Sequence, residues 1–462
     1  MSNPTSLTLR TYQVGFGDCF LLTFHYPSPT GDRHILIDFG STRAPNKLLA
    51  KLPAALPKQL KKQFPGLKAP VSASKHMELV AEDIAVQSGG KLHVVVATHR
   101  HKDHISGFAT NTEGTASGNI IRRLKPDLVV LPWTEHPKAK TDAEEAPSTI
   151  ENTRAFVSSL AAMNSFADAI EKEATRLIKL RAEAGRKSTP TLNSLQFMGE
   201  NSIANKSAIK NLMTMGRKVA YVNFGSREGK SALHALLPGI TTHILGPPTL
   251  VQSEAIRTQR SRDNDEFWTL AATAASRFVA GGELLFRDAE VSEIPPHAVW
   301  LTTRMDRMRL QSMSALVRVL DDAMNNTSVI LLFEAGKARK KFLFPGDAQI
   351  ENWLYALSAA PVKERNQIRK LLMDVDLYKV GHHGSLNATP KTLWGLFEHR
   401  SSDVHAGRRL STVVSTKSGV HGRTEATRVP RTKLINALRH DSNLQNTNAS
   451  QQFFLESKFD LQ

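Results

Sequence analysis

A layered α/β fold is predicted for this chain of 462 residues by two features. Short apolar runs of strand character alternate with stretches of helical apolar spacing. Several of those runs also end abruptly in a glycine or a turn that carries histidine or aspartate, and layered α/β folds place their chemistry at strand ends. Length alone would suggest roughly three domains, but the changes of texture along the chain read as insertions into one core.

Residues 7–14 and 19–24 read as two strands split by the tight turn Gly15-Phe16-Gly17-Asp18. A third strand, 34–39, ends at Gly40. Residues 77–87 have helical spacing and stop at Gly89-Gly90. The apolar run 92–97 and the run 127–132 read as buried core strands. From 137 to 217 the chain turns rich in Ala, Lys, Arg and Glu, with a helical stretch at 166–183, and reads as a basic helical insertion. Strand texture returns at 219–224 and 242–248. A charged, glycine-interrupted second insertion spans 251–295. The last third holds three strand-and-loop units: Asn325-Asn326-Thr327-Ser328 leading into 329–333, the run 341–344 into Pro345-Gly346-Asp347, and the run 376–380 into Gly381-His382-His383-Gly384-Ser385. The organisation expected is therefore a core over 1–136, 218–250 and 296–462, the last including a C-terminal element, interrupted at 137–217 and 251–295.

Composition narrows the class. Apolar residues make up 40% of the chain and no apolar stretch approaches the ~20 residues that a bilayer crossing needs. The first residues lack a basic region followed by an apolar one, so no secretory signal is expected. The single cysteine, Cys19, excludes an intrachain disulfide and points to a reducing cytoplasm. Sixty Lys and Arg against 43 Asp and Glu give a formal charge of +17, an excess that attracts polyanions, nucleic acid first and an anionic membrane second, or that serves only as a basic surface kept for solubility.

The chemistry is concentrated in Thr98-His99-Arg100-His101-Lys102-Asp103-His104, directly after the buried strand 92–97. Four ligand-type side chains fall within six positions where the chain must turn sharply, so imidazoles and a carboxylate can converge. First-row divalent metals take such nitrogen and oxygen donors, and a catalytic site leaves a position open for water. The tips at Asp347 and at His382-His383 can meet this motif if all three strands end on one edge.

These residues resemble the metallo-β-lactamase superfamily, and within it the soluble relatives of the ComEC competence protein. The resemblance is carried by Val14-Gly15-Phe16-Gly17-Asp18, Leu36-Ile37-Asp38-Phe39-Gly40, the His99-to-His104 motif, Leu245-Gly246-Pro247-Pro248, the Asn325-to-Ser328 loop, Pro345-Gly346-Asp347 and Lys379-Val380-Gly381-His382-His383-Gly384-Ser385, in the family's order. It covers residues 7 to about 390 apart from the two insertions. It implies an αββα sandwich with two divalent ions, Zn²⁺ or Mn²⁺, at one edge. His99 and His101 would serve one ion, Asp103, His104 and His382 the other, and Asp347 would bridge them. Asp38 would orient the ligand loop by hydrogen bonds. Lys379, His383 and Ser385 would hold an anionic substrate, and Asp103 would also take a proton from water.

The sequence departs from that family in three places. The third histidine that many members place on the first metal is replaced by the Asn325-to-Ser328 loop, from which Asn325 or Ser328 can contact substrate. His101 stands where ComEC relatives usually have Asp. A C-terminal Gly-His-Pro is replaced by Arg428-Val429-Pro430, with His421 as a candidate substitute.

Water held between two divalent ions has its pKa lowered from ~15.7 towards neutrality, which would supply hydroxide for phosphodiester cleavage. A nuclease or phosphodiesterase is the reading that the charge and the resemblance favour. The alternatives are a hydrolase of a small ester, lactone or phosphorylated metabolite, since fold does not fix substrate, and a binding module of a larger defence or repair complex with structural metals. His25, His34, His76, His93, His234, His243 and His297 lack ligand-type neighbours and read as packing or surface residues, as does Cys19. Lys172, Arg176, Lys179, Arg181, Arg186 and Lys187 form either a solvated helix face or a set of phosphate contacts.

Overall fold

The structure is a computed structural model that describes residues 3–135, 172–183, 206–253, 324–385, 389–420 and 428–462, with a few single positions between 185 and 196. It opens on an antiparallel meander of β1 (Ser6–Tyr12), β2 (Cys19–His25) and β3 (Arg33–Phe39). Next come α1 (Asn46–Ala55), α2 (Lys58–Gln63), α3 (Ala73–Gln87), β4 (Val94–Val96), the short α4 (Lys102–Ile105), α5 (Ser117–Arg123) and β5 (Leu128–Pro132). There follow α6 (Lys206–Met215), at the end of the first insertion, and then β6 (Lys218–Val222), α7 (Arg227–Leu236) and β7 (Ile240–Gly246). The last part contains β8 (Ile330–Ala335), β9 (Lys340–Phe344), α8 (Ile350–Leu354), α9 (Val362–Met373), β10 (Leu377–Lys379), α10 (Lys391–Leu396), β11 (Ser411–Val414), α11 (Thr432–Asp441), β12 (Asn443–Asn446) and β13 (Phe454–Asp460).

These strands form two mixed sheets, ordered β13-β1-β2-β3-β4-β5-β6 and β12-β11-β10-β9-β8-β7. The protein is therefore α/β. Both faces of the central strands are covered, which is why their sequences read as unbroken apolar runs. Period-two alternation sends Phe20, Leu22 and Phe24 of β2 into a core shared with Phe333 of β8 and Phe342 and Phe344 of β9, between the two sheets. The opposite face of β2, Cys19 and Leu21, packs with Leu79 and Ile84 of α3, Ile120 of α5 and Leu212 of α6. On the far side of the second sheet, Leu332 and Leu343 pack with Trp353, Ile368, Leu372 and Leu438. Helices thus cover the outer face of each sheet.

Sequence spacing places most of these elements, with informative differences. Helix α3 begins four residues earlier than the apolar pattern suggests, because Ser72 caps it by accepting a hydrogen bond from the Lys75 N–H at 3.1 Å. Helix α6 lies within the basic segment 137–217, yet it packs Ala208, Leu212 and Met215 into the first sheet's outer core. The C-terminal strand β13 has no counterpart among the expected elements; it pairs antiparallel with β1 and closes the edge of the first sheet. The expected helical stretch at 166–183 is helical over its described part, 172–183. His297, His421, Arg186 and most of the second insertion lie outside the described residues. No helix among the described residues is long and apolar enough to cross a membrane.

This topology sets the position of the site. Strands β3 and β4 run parallel, as do β9 and β10, so the loops leaving them emerge on shared edges. A hydrogen bond from the Val329 N–H to the Thr98 carbonyl, 2.9 Å, ties the two sheets together at that edge.

Candidate metal centre

Four chain segments meet where β3, β4, β9 and β10 end. Asp103, His104, Asp347 and His383, all buried, bring ligand atoms within 4.8 Å of one another. Asp18, Asp38 and His104 form a second such set beside it.

The His99-to-His104 loop is fixed from beneath by Asp38. One oxygen of Asp38 accepts from the Thr98 N–H at 2.7 Å. The other accepts from the Thr98 hydroxyl and from His104 Nδ1, each at 2.8 Å. With its Nδ1 proton committed to Asp38, His104 turns Nε2 to the centre, 3.1 Å from Asp347 Oδ2. His383 is oriented in the same way: Nδ1 donates to the Ser415 carbonyl at 3.0 Å, leaving Nε2 2.8 Å from Asp103 Oδ2. A backbone carbonyl or carboxylate behind an imidazole is the arrangement that fixes the tautomer of a metal ligand.

His99 Nε2 and His101 Nδ1 face each other at 2.9 Å. Burial, with the neighbouring His104 and His101, pushes His99 well below the usual imidazole range. His101 is pulled down to about 4, chiefly by burial. Both rings are therefore neutral at pH 7 and direct their nitrogens to one spot. Arg100, between them, forms a two-pronged pair with Glu135, both bonds 2.7 Å, which anchors the loop to the end of β5.

The second sheet supplies Asp347 through Gly346. At φ +57° this glycine is in the left-handed region, and a Cβ there would stand 2.7 Å from Thr98 Cβ. The Asp347 N–H donates to Ser328 Oγ at 3.2 Å, which gives the Asn325-to-Ser328 loop its place. Ser328 and Asn325 are both fully buried; Ser328 acts on the loop that carries Asp347. Residues His382 and His383 have φ of 44° and 52°. Such angles in non-glycine residues cost on the order of 1–3 kcal/mol each and cluster where function holds them.

Burial raises and lowers these groups, but charge decides. Asp347 is lifted by burial, yet His104, Lys379 and His383 hold it well below the carboxylate range. Burial lowers His383, while Asp347, Asp18 and Asp103 raise it to about 9. His104 is likewise raised, by Asp347, Asp38 and Asp103 against its burial. Four carboxylates (Asp18, Asp38, Asp103 and Asp347) are buried together, and the buried Lys379 pairs with two of them, Asp18 and Asp347. Such a set needs further positive charge, which either imidazolium protons or divalent cations supply. Among the described residues, none donates a hydrogen bond to Asp103 Oδ1. Two imidazole pairs and two carboxylates, one of them with this open oxygen, make a donor set that fits first-row divalent ions.

Three sequence-based assignments change. His383, expected to hold substrate, belongs to the compact donor set, whereas His382, expected as a ligand, does not. The His382 ring is half-buried, with Nδ1 3.1 Å from Ser385 Oγ and its backbone N–H 2.9 Å from Asp347 Oδ1, and its charge is felt at His99 and His101. The reason is the turn itself: the strained backbone at both histidines directs consecutive rings apart. Lys379, expected to contact substrate, is buried, with its ammonium on Asp18, Asp347 Oδ1 and the Gly346 carbonyl. Asp18 reads from sequence only as part of a turn; the signal available is an acidic residue in a glycine turn between two apolar strands. Glu135 gives no sequence signal.

Of the other histidines, His25 pairs with Asp32, His34 bonds Thr23, His76 bonds the Gln13 carbonyl and His243 pairs with Glu334. Arg428, Val429 and Pro430 are described, with Val429 buried. Lys172, Arg176 and Lys179 are exposed. Comparison with protein-family models and with curated proteins finds no match for the chain.

Proposed function

We propose that this protein is a metal-dependent hydrolase of the metallo-β-lactamase superfamily, akin to its ComEC-like branch, that cleaves phosphodiesters in nucleic acid. The observation that carries this reading is the convergence of Asp103, His104, Asp347 and His383 within 4.8 Å, beside the neutral pair His99 and His101. The order of the motifs along the chain and the placement of that donor set at one edge of two facing, helix-covered sheets support an αββα sandwich of that family. His99 and His101 would hold one divalent ion and Asp103, His104 and His383 another, with Asp347 between them. Bound there, Zn²⁺ or Mn²⁺ supplies Lewis acidity, lowering the pKa of water towards neutrality and offsetting charge on a phosphodiester.

The chain's own residues supply the rest. Asp38 and the Ser415 carbonyl hold the imidazoles in the binding tautomer. Asp103 Oδ1, which accepts no hydrogen bond from the described residues, is placed to accept a proton from a water at the centre. His382 and Ser385, half-buried at the rim, can donate to phosphate oxygens, and the excess of 17 positive charges draws polyanions to the surface. The lone buried Cys19 suits a reducing, cytoplasmic setting.

The test is incubation with single- and double-stranded DNA and RNA in Zn²⁺ or Mn²⁺, alongside the His101→Ala/Asp347→Ala double variant. Cleavage by wild type that the double variant lacks supports the reading; equal rates for the two proteins retire it. A rate that falls steeply with salt marks a polymer substrate with several phosphate contacts, and a flat response marks a small ester instead.

A further inference from the structure

Asp18 lies outside the donor residues that the motifs single out, yet it is fully buried at the inner side of the centre. Its backbone is pinned at both ends: its N–H donates to the Asp103 carbonyl at 2.9 Å, and its carbonyl accepts from the Gly40 N–H at 3.0 Å. Its carboxylate pairs with the ammonium of Lys379, which also donates to the Gly346 carbonyl at 3.0 Å and lies 3.4 Å from Asp347 Oδ1. The two oxygens of Asp347 are thereby divided. Oδ1 is taken by Lys379 and the His382 N–H, while Oδ2 faces His104 and His383 at 3.1 and 3.7 Å.

We propose that Lys379, held by Asp18, is a built-in cation of this centre that occupies Asp347 Oδ1 and leaves Oδ2 alone for metal. Asp18 is then a positioning residue that acts through Lys379. The inference rests on the metal-centre reading above. Its physical basis is charge balance. A bare ammonium this close to a divalent ion repels it, and the Asp18 carboxylate cancels that repulsion. With Asp18 neutral, Asp347 is the nearest carboxylate left to Lys379, which then competes directly with the metal for it.

The variants Asp18→Asn, Lys379→Met and the double Asp18→Asn/Lys379→Met test this. Mn²⁺ and Zn²⁺ affinities are measured by chelator competition, and folding of the metal-free chains by circular dichroism. Asp18→Asn should bind metal at least about tenfold more weakly than wild type, and the double variant should return to within about threefold of wild type. Lys379→Met alone should bind no more weakly than wild type. A merely structural role would lower thermal stability in all three and would not restore affinity in the double. Wild-type affinity in Asp18→Asn, or a double variant as weak as Asp18→Asn, overturns the inference. Should Asp18→Asn fail to fold, Lys379→Met is compared with the double. The unpaired Asp18 carboxylate should then tighten binding at least about tenfold, and equal affinities overturn the proposal. A wild-type chain that takes up no metal retires the metal-centre reading together with this one, whereas metal-binding wild type with unchanged variants retires this one alone.

Discussion

Asp103 and His383 are 280 positions apart in the chain, and their side chains meet at 2.8 Å. The contact joins the loop after β4 to the loop after β10, one from each sheet, so the centre exists only when the two sheets are packed together. His382, one residue away, has its ring 6.3 Å from that of His383 and aims at Ser385. The two histidines should therefore respond differently to substitution. His383→Ala is expected to lower metal affinity by more than the about 10–100-fold that loss of an outer partner brings, with hydrolysis falling alongside. His382→Ala should keep its metal and weaken substrate binding, seen as a raised KM. Elemental analysis of both variants decides; loss of metal from His382→Ala alone would return that residue to the ligand set.

Asp38 acts on the main donor set through its neighbours. It holds Thr98 by two hydrogen bonds and His104 by one, and its own backbone sits at φ 53°. Asp38→Asn retains an acceptor for Thr98 but loses the charge that fixes His104. Metal affinity should drop about 10–100-fold, as is usual for such outer partners, while the fold persists. Chelator competition is the measurement, and an unchanged affinity would show that His104 is oriented without Asp38.

Gly40 follows β3 with no room for a side chain. A Cβ there would meet the Asp103 carbonyl carbon at 2.4 Å and the His104 nitrogen at 2.5 Å. These are backbone atoms of the ligand loop, which cannot swing aside. Gly40→Ala is expected to cost about 3 kcal/mol and to displace Asp103 and His104 together. Gly66→Ala, where a Cβ meets nothing within 4 Å, serves as the control. Denaturant melts of the two variants should separate clearly; similar midpoints would mean that the loop yields at little cost.

Much of this site is legible in the chain because its signals are local. His99, His101, Asp103 and His104 share one turn, and Asp38 and Asp347 each stand at the end of an apolar run, where a strand must stop. The rest depends on long-range packing. Whether His382 or His383 points inward is set by two left-handed backbone angles that no spacing rule anticipates. Asp18 matters only because β2 starts at the edge where β3 ends, which brings it to Lys379. The closing strand β13 has half-exposed, mixed residues, so its pairing with β1 has no period-two signature to read. The α/β class is legible despite these gaps, since both faces of the central strands are buried and their apolar runs are correspondingly plain.

A final expectation concerns acid stability away from the centre. His76, on α3, is fully buried, and its Nε2 lies 2.7 Å from the Gln13 carbonyl, which can only accept. Nε2 therefore carries the proton, and among the described residues Nδ1 has no hydrogen-bond partner to stabilise a second one. Burial accordingly lowers its pKa from 6.5 to about 4, with the Gln13 bond opposing only in part. The sign follows by linkage. The unfolded chain protonates His76 below about pH 6.5, whereas the folded chain does not until about pH 4, so stability falls across that window as pH drops. The gap corresponds to about 3 kcal/mol. His34 and His93, also lowered to about 4 mainly by burial, act in the same direction. His76→Gln keeps a donor for the Gln13 carbonyl and removes the titration. Its denaturant midpoint should depend less steeply on pH between 6.5 and 4 than that of wild type, and parallel curves would show that His76 takes up its proton in the folded state as readily as in the unfolded one.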